Sequence, residues 1–259
     1  MNRTIVIGDV QGCKGDLVRL LNECKVTAND RVILAGDIVD RGPDSAGCVE
    51  YAMHREQVQG SCAAILGNHD DRHIFYEDEL NRTGRLPSMP HTHEATRRQL
   101  NQEHYDYMRS LPLFIRLPEH DAVVVHAGVY PGYPIEEQSR RHLLHIQMIR
   151  PYNDDGTPTH DMRSVWPSKV PPGEAGWKFW TNFWDGPERI IFGHSVFDVP
   201  LITDKVAGID GGVCFGLSLH ALVLPDWRIV TVHALNDHGP GRRGKVSAYK
   251  VHGDVKTFS

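Results

Sequence analysis

Five apolar segments of this sequence end on residues whose side chains can bind a metal ion. The segments read IVIGD, VILAGD, AAILGN, AVVVH and IIFGH, and their last residues are Asp9, Asp37, Asn68, His126 and His194. In open α/β sheets, binding sites form where the carboxyl ends of the strands meet at one edge. A single aspartate after a strand often only caps the next helix, but five such strand ends together predict one shared metal site.

The types of these five side chains limit the choice of metal. Two carboxylates, one amide and two imidazoles, without a thiolate, suit Mn²⁺, Fe or Zn²⁺ better than Ca²⁺ or copper. Five donors exceed the four of a tetrahedral zinc site, and a carboxylate can bridge two ions. We therefore predict two divalent metal ions, in the first place Mn²⁺, with Fe, Zn²⁺, Co²⁺ or Ni²⁺ as alternatives. Two metals ~3.5–4 Å apart can clamp a phosphate group and activate a water molecule.

Three more polar residues directly follow two of these strand ends. Asp40 and Arg41 lie in GDIVDRG (36–42), and His69 lies in GNHD (67–70). The planar guanidinium of an arginine suits the oxygens of a phosphate group. A carboxylate near His69 would raise the pKa of its imidazole and keep it protonated. His69 is therefore a candidate general acid that protonates a leaving oxygen.

The elements that carry these residues alternate between predicted strands and helices. RTIVIGD, RVILAGD and SCAAILGN are the predicted strands. The segment CKGDLVRLLNEC places its leucines and Cys24 on one helical face, and Pro43 is expected to open a second helix that runs to about Val58. This β-α-β-α-β pattern predicts parallel strands that are covered by helices.

The rest of the chain has less regular patterns. Residues 70–110 read as polar helices, which suggests a helical lid, and residues 151–176 are expected to form a long surface loop. Three β-rich stretches come after the last of the five strand ends, and the polar tail from about 236 is expected to fray in part. Because no segment reads as a linker, the sequence predicts one domain over residues 1–259.

Two groups of aromatic residues outside the motifs are expected to have structural roles. His91 and His93 stand in a polar stretch without a strand, which favours surface histidines over a metal site. Trp177, Trp180 and Trp184 recur at helical spacing, which favours packing, with stacking of an adenine as the alternative.

The composition argues against several classes of protein. The chain has 259 residues, with 28 Lys+Arg against 33 Asp+Glu and a net charge of −5, so no nucleic-acid partner is indicated. It has no apolar run of ~18 residues that could cross a membrane, and its first residues do not resemble a secretion signal. Five cysteines without a CxxC pair argue against a disulfide framework. We therefore expect a cytoplasmic protein.

A family resemblance rests on five motifs, which are GDVQG (8–12), GDIVDRG (36–42), GNHD (67–70), HAG (126–128) and GH (193–194). Their order resembles that of the calcineurin-like metallophosphoesterases, and GDIVDRG with GNHD resembles the phosphoprotein-phosphatase branch. Within that branch the chain is similar to bacterial symmetrical diadenosine tetraphosphate hydrolases and related serine/threonine phosphatases. The segment IDGGVCFGLSLHALVLPD (209–226) and the overall length carry this last similarity.

The resemblance implies a fold and a set of metal ligands. The fold would be an α/β four-layer αββα sandwich, with two mixed sheets inside and helices outside. Asp9 and Asp37 would hold the first metal, with Asp37 bridging to the second. The second metal would be completed by Asn68, His126 and His194.

The resemblance also implies roles in binding the substrate and in catalysis. Asp40 and His69 would form the acid pair, while Arg41 and Asn68 would contact the phosphoryl group. A second phosphate-binding arginine is common in the family, and Arg150 or Arg163 could serve as this residue.

Gln11 departs from the family pattern, because many members have a histidine at this position. An amide oxygen is a neutral metal ligand. Gln11 would therefore bind the first metal more weakly than a histidine, or it would only orient a bound water molecule.

The implied activity is hydrolysis of phosphate bonds by a hydroxide that bridges the two metals. The expected substrate is diadenosine tetraphosphate, a small nucleotide that would be cut symmetrically to two ADP. The alternative substrate is a protein that carries phosphoserine or phosphothreonine. A non-catalytic binding protein is the remote alternative, because such a protein would have lost metal ligands that this sequence retains.

Overall fold

Two mixed β-sheets form the centre of the structure, a computed structural model that describes residues 3–159 and 162–239. The first sheet, in spatial order β12-β11-β1-β2, contains β1 (Thr4–Ile7), β2 (Arg31–Leu34), β11 (Ser218–Leu224) and β12 (Arg228–His233). The second, in the order β3-β4-β8-β10-β9, contains β3 (Phe114–Leu117), β4 (Ala122–Val125), β8 (Arg189–Phe192), β9 (Leu201–Ile202) and β10 (Val206–Gly208). A small third sheet contains β5 (Met148–Ile149), β6 (Ser164–Val165) and β7 (Lys178–Phe179).

The α-helices of the described residues are α1 (Lys14–Glu23), α2 (Ser45–Gln59), α3 (Asn68–Thr83), α4 (His91–Arg97), α5 (Gln102–Ser110) and α6 (Arg140–His145). Helix α2 begins later than Pro43, where it was expected to start. The reason is that the carboxylate of Asp44 caps the first turn by accepting a hydrogen bond from the N–H of Gly47. None of the helices in the described ranges is both long and apolar enough to cross a membrane.

Successive side chains along the strands point to opposite faces, which separates an inner core from two outer cores. Val6 of β1 and Val124 of β4 are buried in one cluster between the two large sheets. Their neighbours Ile5 and Val123 point the other way, into separate clusters on the outer faces. Successive strand residues face opposite sides of a sheet, so the two sheets pack face to face with helices outside. The predicted fold class is confirmed.

One predicted strand is nearly absent. The segment SCAAILGN pairs with β2 through a single parallel bridge between Leu34 and Ala64. The pairing stops there, because the next N–H on the side of β2, that of Gly67, donates to the carboxylate of Asp70 and not to a backbone carbonyl. The strand prediction was therefore wrong in length, although it placed the end of the segment correctly beside β2.

The predicted lid (70–110) consists of helix α4, helix α5 and most of α3. Ile74 on α3 and the pair Tyr105 and Met108 on α5 are buried in the same cluster as Leu17 on α1. These contacts anchor the segment to the first sheet, and movement as a lid stays a prediction, as does the single domain. The tail that was expected to fray lies outside the described residues from 240 onward.

Candidate metal centre and phosphate site

The carboxyl ends of the two parallel strand pairs meet at one edge of the sandwich. Strand β1 lies parallel to β2, and β4 lies parallel to β8. Asp9 and Asp37 follow the first pair, His126 and His194 follow the second, and Asn68 is the first residue of α3. The backbone N–H of His194 donates to Oδ1 of Asp9 at 3.0 Å, which links the two sheets directly. The structure thus brings all five strand-end residues together.

The imidazole of His126 shows why this group of residues fits a cation. Its Nδ1 lies 2.9 Å from the carbonyl oxygen of Ala35, which can only accept, so Nδ1 carries the proton. Burial lowers the pKa of His126, so the ring is neutral and Nε2 has a lone pair. That lone pair faces Oδ1 of Asn68 at 2.8 Å and Oδ1 of Asp37 at 3.3 Å. Three acceptors directed at one another fit a divalent cation.

His194 completes this set of possible metal ligands. Its Nδ1 lies 2.8 Å from Oδ1 of Asn68, and its Nε2 is buried without a hydrogen-bond partner among the described residues. Burial lowers the pKa of His194 well below its ordinary value, and the nearby His126 adds to this effect. Ligand atoms of Asp37, His126 and His194 all lie within 4.8 Å of one another. A neutral imidazole with a free nitrogen is the form that binds Mn, Fe and Zn.

The first predicted metal position is lined by carboxylates. Asp9 and Asp37 border the same cleft, and burial together with the charges of Asp210 and Asp37 raises the pKa of Asp9. A divalent cation would relieve this crowding of negative charge. Gln11 donates from Nε2 to Oδ2 of Asp37 at 3.3 Å, and its Oε1 accepts from the thiol of Cys214. Gln11 therefore orients Asp37, and direct binding of Gln11 to metal stays a prediction.

Asp210 is a residue of this site that the sequence analysis missed. It is buried, lines the cleft, and accepts a hydrogen bond from the N–H of Gly212 at 2.9 Å. Burial raises the pKa of its carboxyl to about 7. The signal was available, because the stretch VAGID also ends on an aspartate. Its strand, β10, lies parallel to β8, so its carboxyl end points to the same edge.

The predicted acid pair is formed by Asp40 and His69. Nδ1 of His69 lies 2.6 Å from Oδ2 of Asp40, while Nε2 lies 3.3 Å from Nη2 of Arg41. Burial alone would lower the pKa of His69, but the carboxylates of Asp37 and Asp40 outweigh burial and raise it. Burial likewise opposes ionisation of Asp40, and hydrogen bonds from histidines overcome it and lower the pKa of this carboxyl. The two carboxylates therefore favour the protonated imidazole, whereas the guanidinium of Arg41, which can only donate, opposes a proton on Nε2.

Asp40 has two further histidine neighbours that the sequence analysis did not assign to the site. Nε2 of His73 lies 2.6 Å from Oδ1 of Asp40, and Nε2 of His93 lies 3.3 Å from Oδ2. The side chain of His93 is only 15% exposed, so its prediction as a surface histidine was wrong. The four-residue spacing of His69 and His73 on α3 could have indicated the first neighbour. No local pattern indicates His93.

Asp70, the last residue of GNHD, ties the two motif loops together. Its Oδ1 accepts from the N–H groups of Ile38 and Val39 at 3.0 and 3.2 Å, and its Oδ2 accepts from the N–H of Gly67 at 2.9 Å. The side chain is completely buried. These three bonds hold the loop after β2 against the start of α3, and so set the spacing between the two halves of the site.

The backbone of the site is unusually strained. Eight non-glycine residues in the described ranges have a positive φ, and five of them are Gln11, Asp37, Asp40, Arg41 and His194. Such conformations cost about 1–3 kcal/mol each and persist where the surroundings hold them, often at functional sites. Their concentration here agrees with the position of the five strand ends.

The structure separates the three candidate arginines. Arg41 lines the cleft beside the strand ends. Arg150 pairs with Asp154 at 2.7 Å, and the guanidinium of Arg163 lies 5.9 Å from the ring centre of Trp177. Neither Arg150 nor Arg163 is among the described residues that line the cleft. Arg41 is therefore the candidate that the structure places at the site.

The cleft at the strand ends has a volume of about 450 Å³ and is lined by apolar as well as polar residues. The apolar ones include Trp166, Pro167, Val196, Val213 and Phe215. The indole of Trp166 is 53% exposed and its ring centre lies 5.5 Å from that of His194. The expected packing role fits Trp177, Trp180 and Trp184, which are all buried. An aromatic surface for a base is thus offered by a tryptophan that the sequence analysis did not single out.

Comparison with known proteins assigns a family. Residues 2–198 match the model of the calcineurin-like phosphoesterases. The chain belongs to this family. Membership confirms the resemblance read from the motifs and the prediction of a phosphoesterase. A solved structure of a candidate diadenosine tetraphosphatase has the same fold as this calcineurin-like phosphoesterase, with a TM-score of 0.70 and 27% sequence identity, over 91% of this chain and 95% of that one.

Two kinds of curated relative are similar in sequence to this chain. A symmetrical bis(5'-nucleosyl)-tetraphosphatase of Shewanella sediminis is 33% identical over 137 residues, which cover 50% of this chain and 46% of that protein. The asymmetrical bis(5'-nucleosyl)-tetraphosphatase PrpE of Bacillus velezensis is 24% identical over 249 residues, which cover 88% of this chain and 92% of that protein. The chain thus spans about half the length of the symmetrical relative.

Proposed function

We propose that this phosphoesterase hydrolyses dinucleoside tetraphosphates with two divalent metal ions, in the first place Mn²⁺, at the strand ends. The observation that carries the proposal is the convergence of Asp37, Asn68 and His126, whose acceptor atoms face one another, with the unpartnered Nε2 of His194 buried beside them. Asp9 borders the adjoining first metal position. This donor set matches what the borderline divalent metals prefer.

The residues around the two metal positions would have separate roles in the reaction. Two bound cations would neutralise phosphate charge and lower the pKa of the attacking water molecule. Arg41 and Asn68 would contact phosphoryl oxygens, and the planar guanidinium of Arg41 can bind two of them at once. His69, held through Nδ1 by Asp40, would donate the proton on Nε2 to the leaving oxygen. For a tetraphosphate, that oxygen belongs to the departing nucleotide.

The aromatic residues that line the cleft support a nucleotide substrate. Trp166 exposes its indole next to the strand ends, and Phe215 lies under the guanidinium of Arg41 at 4.8 Å. Stacking of a base on an aromatic side chain is worth about 1–3 kcal/mol. By name, both kinds of relative act on bis(5'-nucleosyl) tetraphosphates, which favours this substrate class over a phosphoprotein.

Analysis of the reaction products will show which bond of the tetraphosphate is cut. We propose symmetrical cleavage, because sequence identity is higher to the symmetrical relative, although the asymmetrical relative aligns over more of the chain. Diadenosine tetraphosphate is incubated with the protein and Mn²⁺, and the products are separated by anion exchange. ADP as the sole product supports the proposal, whereas equal amounts of ATP and AMP would show asymmetrical cleavage.

A substrate panel tests the substrate class. Diadenosine tetraphosphate, a phosphoserine peptide and p-nitrophenyl phosphate are compared by kcat/KM, with Mn²⁺ and after chelation of the metal. The highest kcat/KM is expected for diadenosine tetraphosphate. A higher value for the peptide would indicate a serine/threonine phosphatase. No turnover of any substrate with Mn²⁺ would indicate a non-catalytic binding protein.

A further inference from the structure

The carboxylate of Asp40 is shared by three imidazoles. Oδ2 lies 2.6 Å from Nδ1 of His69 and 3.3 Å from Nε2 of His93, and Oδ1 lies 2.6 Å from Nε2 of His73. The carboxylate is completely buried. A buried charge is costly unless hydrogen bonds satisfy it. The hydrogen bonds from His69 and His73 therefore allow Asp40 to remain ionised, and His93 adds a polar contact from Nε2 to Oδ2 at 3.3 Å.

The rings of His73 and His93 are set so that each can donate from Nε2. A carboxylate can only accept, so the 2.6 Å contact requires a proton on Nε2 of His73. The hydroxyl of Tyr76 lies 3.2 Å from Nδ1 of His93 and can donate to it, which leaves Nε2 as the protonated nitrogen. Burial lowers the pKa of His93 to about 4, so this ring is neutral near pH 7.

A third metal site is the other use that this cluster could have. Asp40, His73 and His93 offer ligand atoms within 4.8 Å of one another. The separation of 2.6 Å between Nε2 of His73 and Oδ1 of Asp40 is, however, the length of a strong hydrogen bond. Oδ2 of Asp40 is also already engaged with His69. The geometry therefore favours support by hydrogen bonds.

We propose that His73 and His93 are positioning residues, which hold Asp40, and through it His69, in the orientation required for proton donation. The inference rests on the proposed function, because it assumes that His69 protonates the leaving oxygen. Asp40 has a φ of +83°, so its backbone is strained and persists in this conformation only where surrounding contacts hold the residue. His73 supplies such a contact from α3, and His93 supplies one from α4.

The test uses paired variants at each histidine. His73→Leu and His93→Leu remove the donor, whereas His73→Gln and His93→Gln keep an amide N–H close to the position of Nε2. The matched controls are Arg72→Gln and His91→Gln, exposed residues on the same two helices. For each protein, kcat and KM are measured with Mn²⁺ on diadenosine tetraphosphate and on 2,4-dinitrophenyl phosphate, whose leaving group needs no proton.

The leucine variants should lower kcat for diadenosine tetraphosphate about 10–100-fold, the range expected for loss of a hydrogen bond to a charged group. KM and the metal content should stay near the wild-type values, and turnover of 2,4-dinitrophenyl phosphate should fall much less. The glutamine variants should recover most of the loss. In a His69→Asn background, the leucine substitutions should cost little more, because both act through the same proton.

Other results would overturn the inference. Equal losses on both substrates, or leucine effects that add fully to that of His69→Asn, would show a general structural role. Loss of a third equivalent of Mn²⁺ in His73→Gln would show a metal site. If His73→Leu does not fold, the partly exposed His93 carries the test alone.

Failure of the proposed function has a separate signature. If His69→Asn retains wild-type turnover of diadenosine tetraphosphate, the acid pair itself is wrong, whatever the other variants do. If His69→Asn is impaired on diadenosine tetraphosphate while His73→Leu and His93→Leu behave like the controls, only the positioning role is wrong.

Discussion

Nδ1 of His126, at the end of the second sheet, donates a hydrogen bond across 2.9 Å to the carbonyl oxygen of Ala35, at the end of the first sheet. The bond joins the two sheets at the site and determines which nitrogen of the ring faces Asp37. Histidine ligands of metals commonly use their second nitrogen in this way, which sets the tautomer and the ring orientation. The fold thus leaves the unprotonated Nε2 of His126 facing Asp37, as the proposed metal site requires.

Asp37→Asn should remove more metal than Asp9→Asn. Asp37 contacts Gln11, the backbone N–H of His69 and Nε2 of His126, so it borders both metal positions, whereas Asp9 borders only the first. Metal per chain is measured by mass spectrometry after gel filtration. Asp154→Asn, at an exposed carboxylate on a distant loop, is the control. If Asp9→Asn loses more metal, Asp37 is not the bridging ligand.

His69→Asn should keep both metals and lose turnover by about 10²–10⁴-fold, the range for loss of a general acid. The loss should be largest for alkyl phosphates and small for aryl phosphates with acidic leaving groups, which leave without protonation. Rates on a series of leaving groups, together with metal content, check this expectation. A uniform loss across the series would contradict the assignment of His69 as the acid.

Gln11→His should tighten binding of metal at the first position. In the structure Gln11 directs its amide N–H to Asp37 and its oxygen accepts from Cys214, so both ends of its amide already contact protein groups. An imidazole is a stronger ligand for Mn, Fe and Zn than an amide. Calorimetric titration of metal-free protein with Mn²⁺ should give a lower Kd for the variant. Wild-type protein that is fully active without added metal would argue against a weak first position.

Trp166→Ala should raise KM for diadenosine tetraphosphate about 10-fold, a value within the range for loss of one stacked base. KM for a phosphoserine peptide without aromatic residues should not change, because the peptide has no base to stack. Tyr152→Ala is the matched control, since Tyr152 is also exposed on this loop but does not line the cleft. An equal rise in KM for both substrates would indicate a distorted loop.

His220 should make the protein less stable in weak acid. It is buried on β11, and burial, with a contribution from His233, lowers its pKa to about 4. Between pH ~6.5 and ~4 the unfolded chain binds a proton that the folded chain excludes, so stability falls as the pH drops through this window. Between pH 7 and pH 5, protonation linked to His220 should lower the free energy of unfolding by about 2 kcal/mol.

Urea unfolding at both pH values, with Mn²⁺ present throughout, measures this loss. His220→Asn should depend on pH less than wild type by that amount, whereas His54→Asn, at an exposed position, should not. The same pH dependence in His220→Asn as in wild type would show that other groups cause the acid sensitivity.

The positions of the strand ends were predictable because each depends on a short run of consecutive residues. An apolar run followed by Asp9, Asp37, His126 or His194 encodes both a buried strand and the polar group at its end. Parallel pairing then brings those ends to one edge, whatever the details of the loops. The predicted third strand was too long, because the carboxylate of Asp70 accepts from the N–H of Gly67 and so ends the pairing with β2 after one bridge.

Only the tertiary structure decided which residues surround these strand ends. His93 and Trp166 lie far from the motifs in the sequence, and no local periodicity relates them to the motifs. Asp210 differs, because it ends an apolar stretch as the five predicted residues do. Arg150 and Arg163 looked equivalent as cations, and packing directed both to partners outside the cleft. The sequence by itself therefore determined the family, the residue types at the strand ends and the pairing of Asp40 with His69, because each depends on short motifs. Partners across the cleft depend on how whole layers pack, and that information is spread over the entire chain.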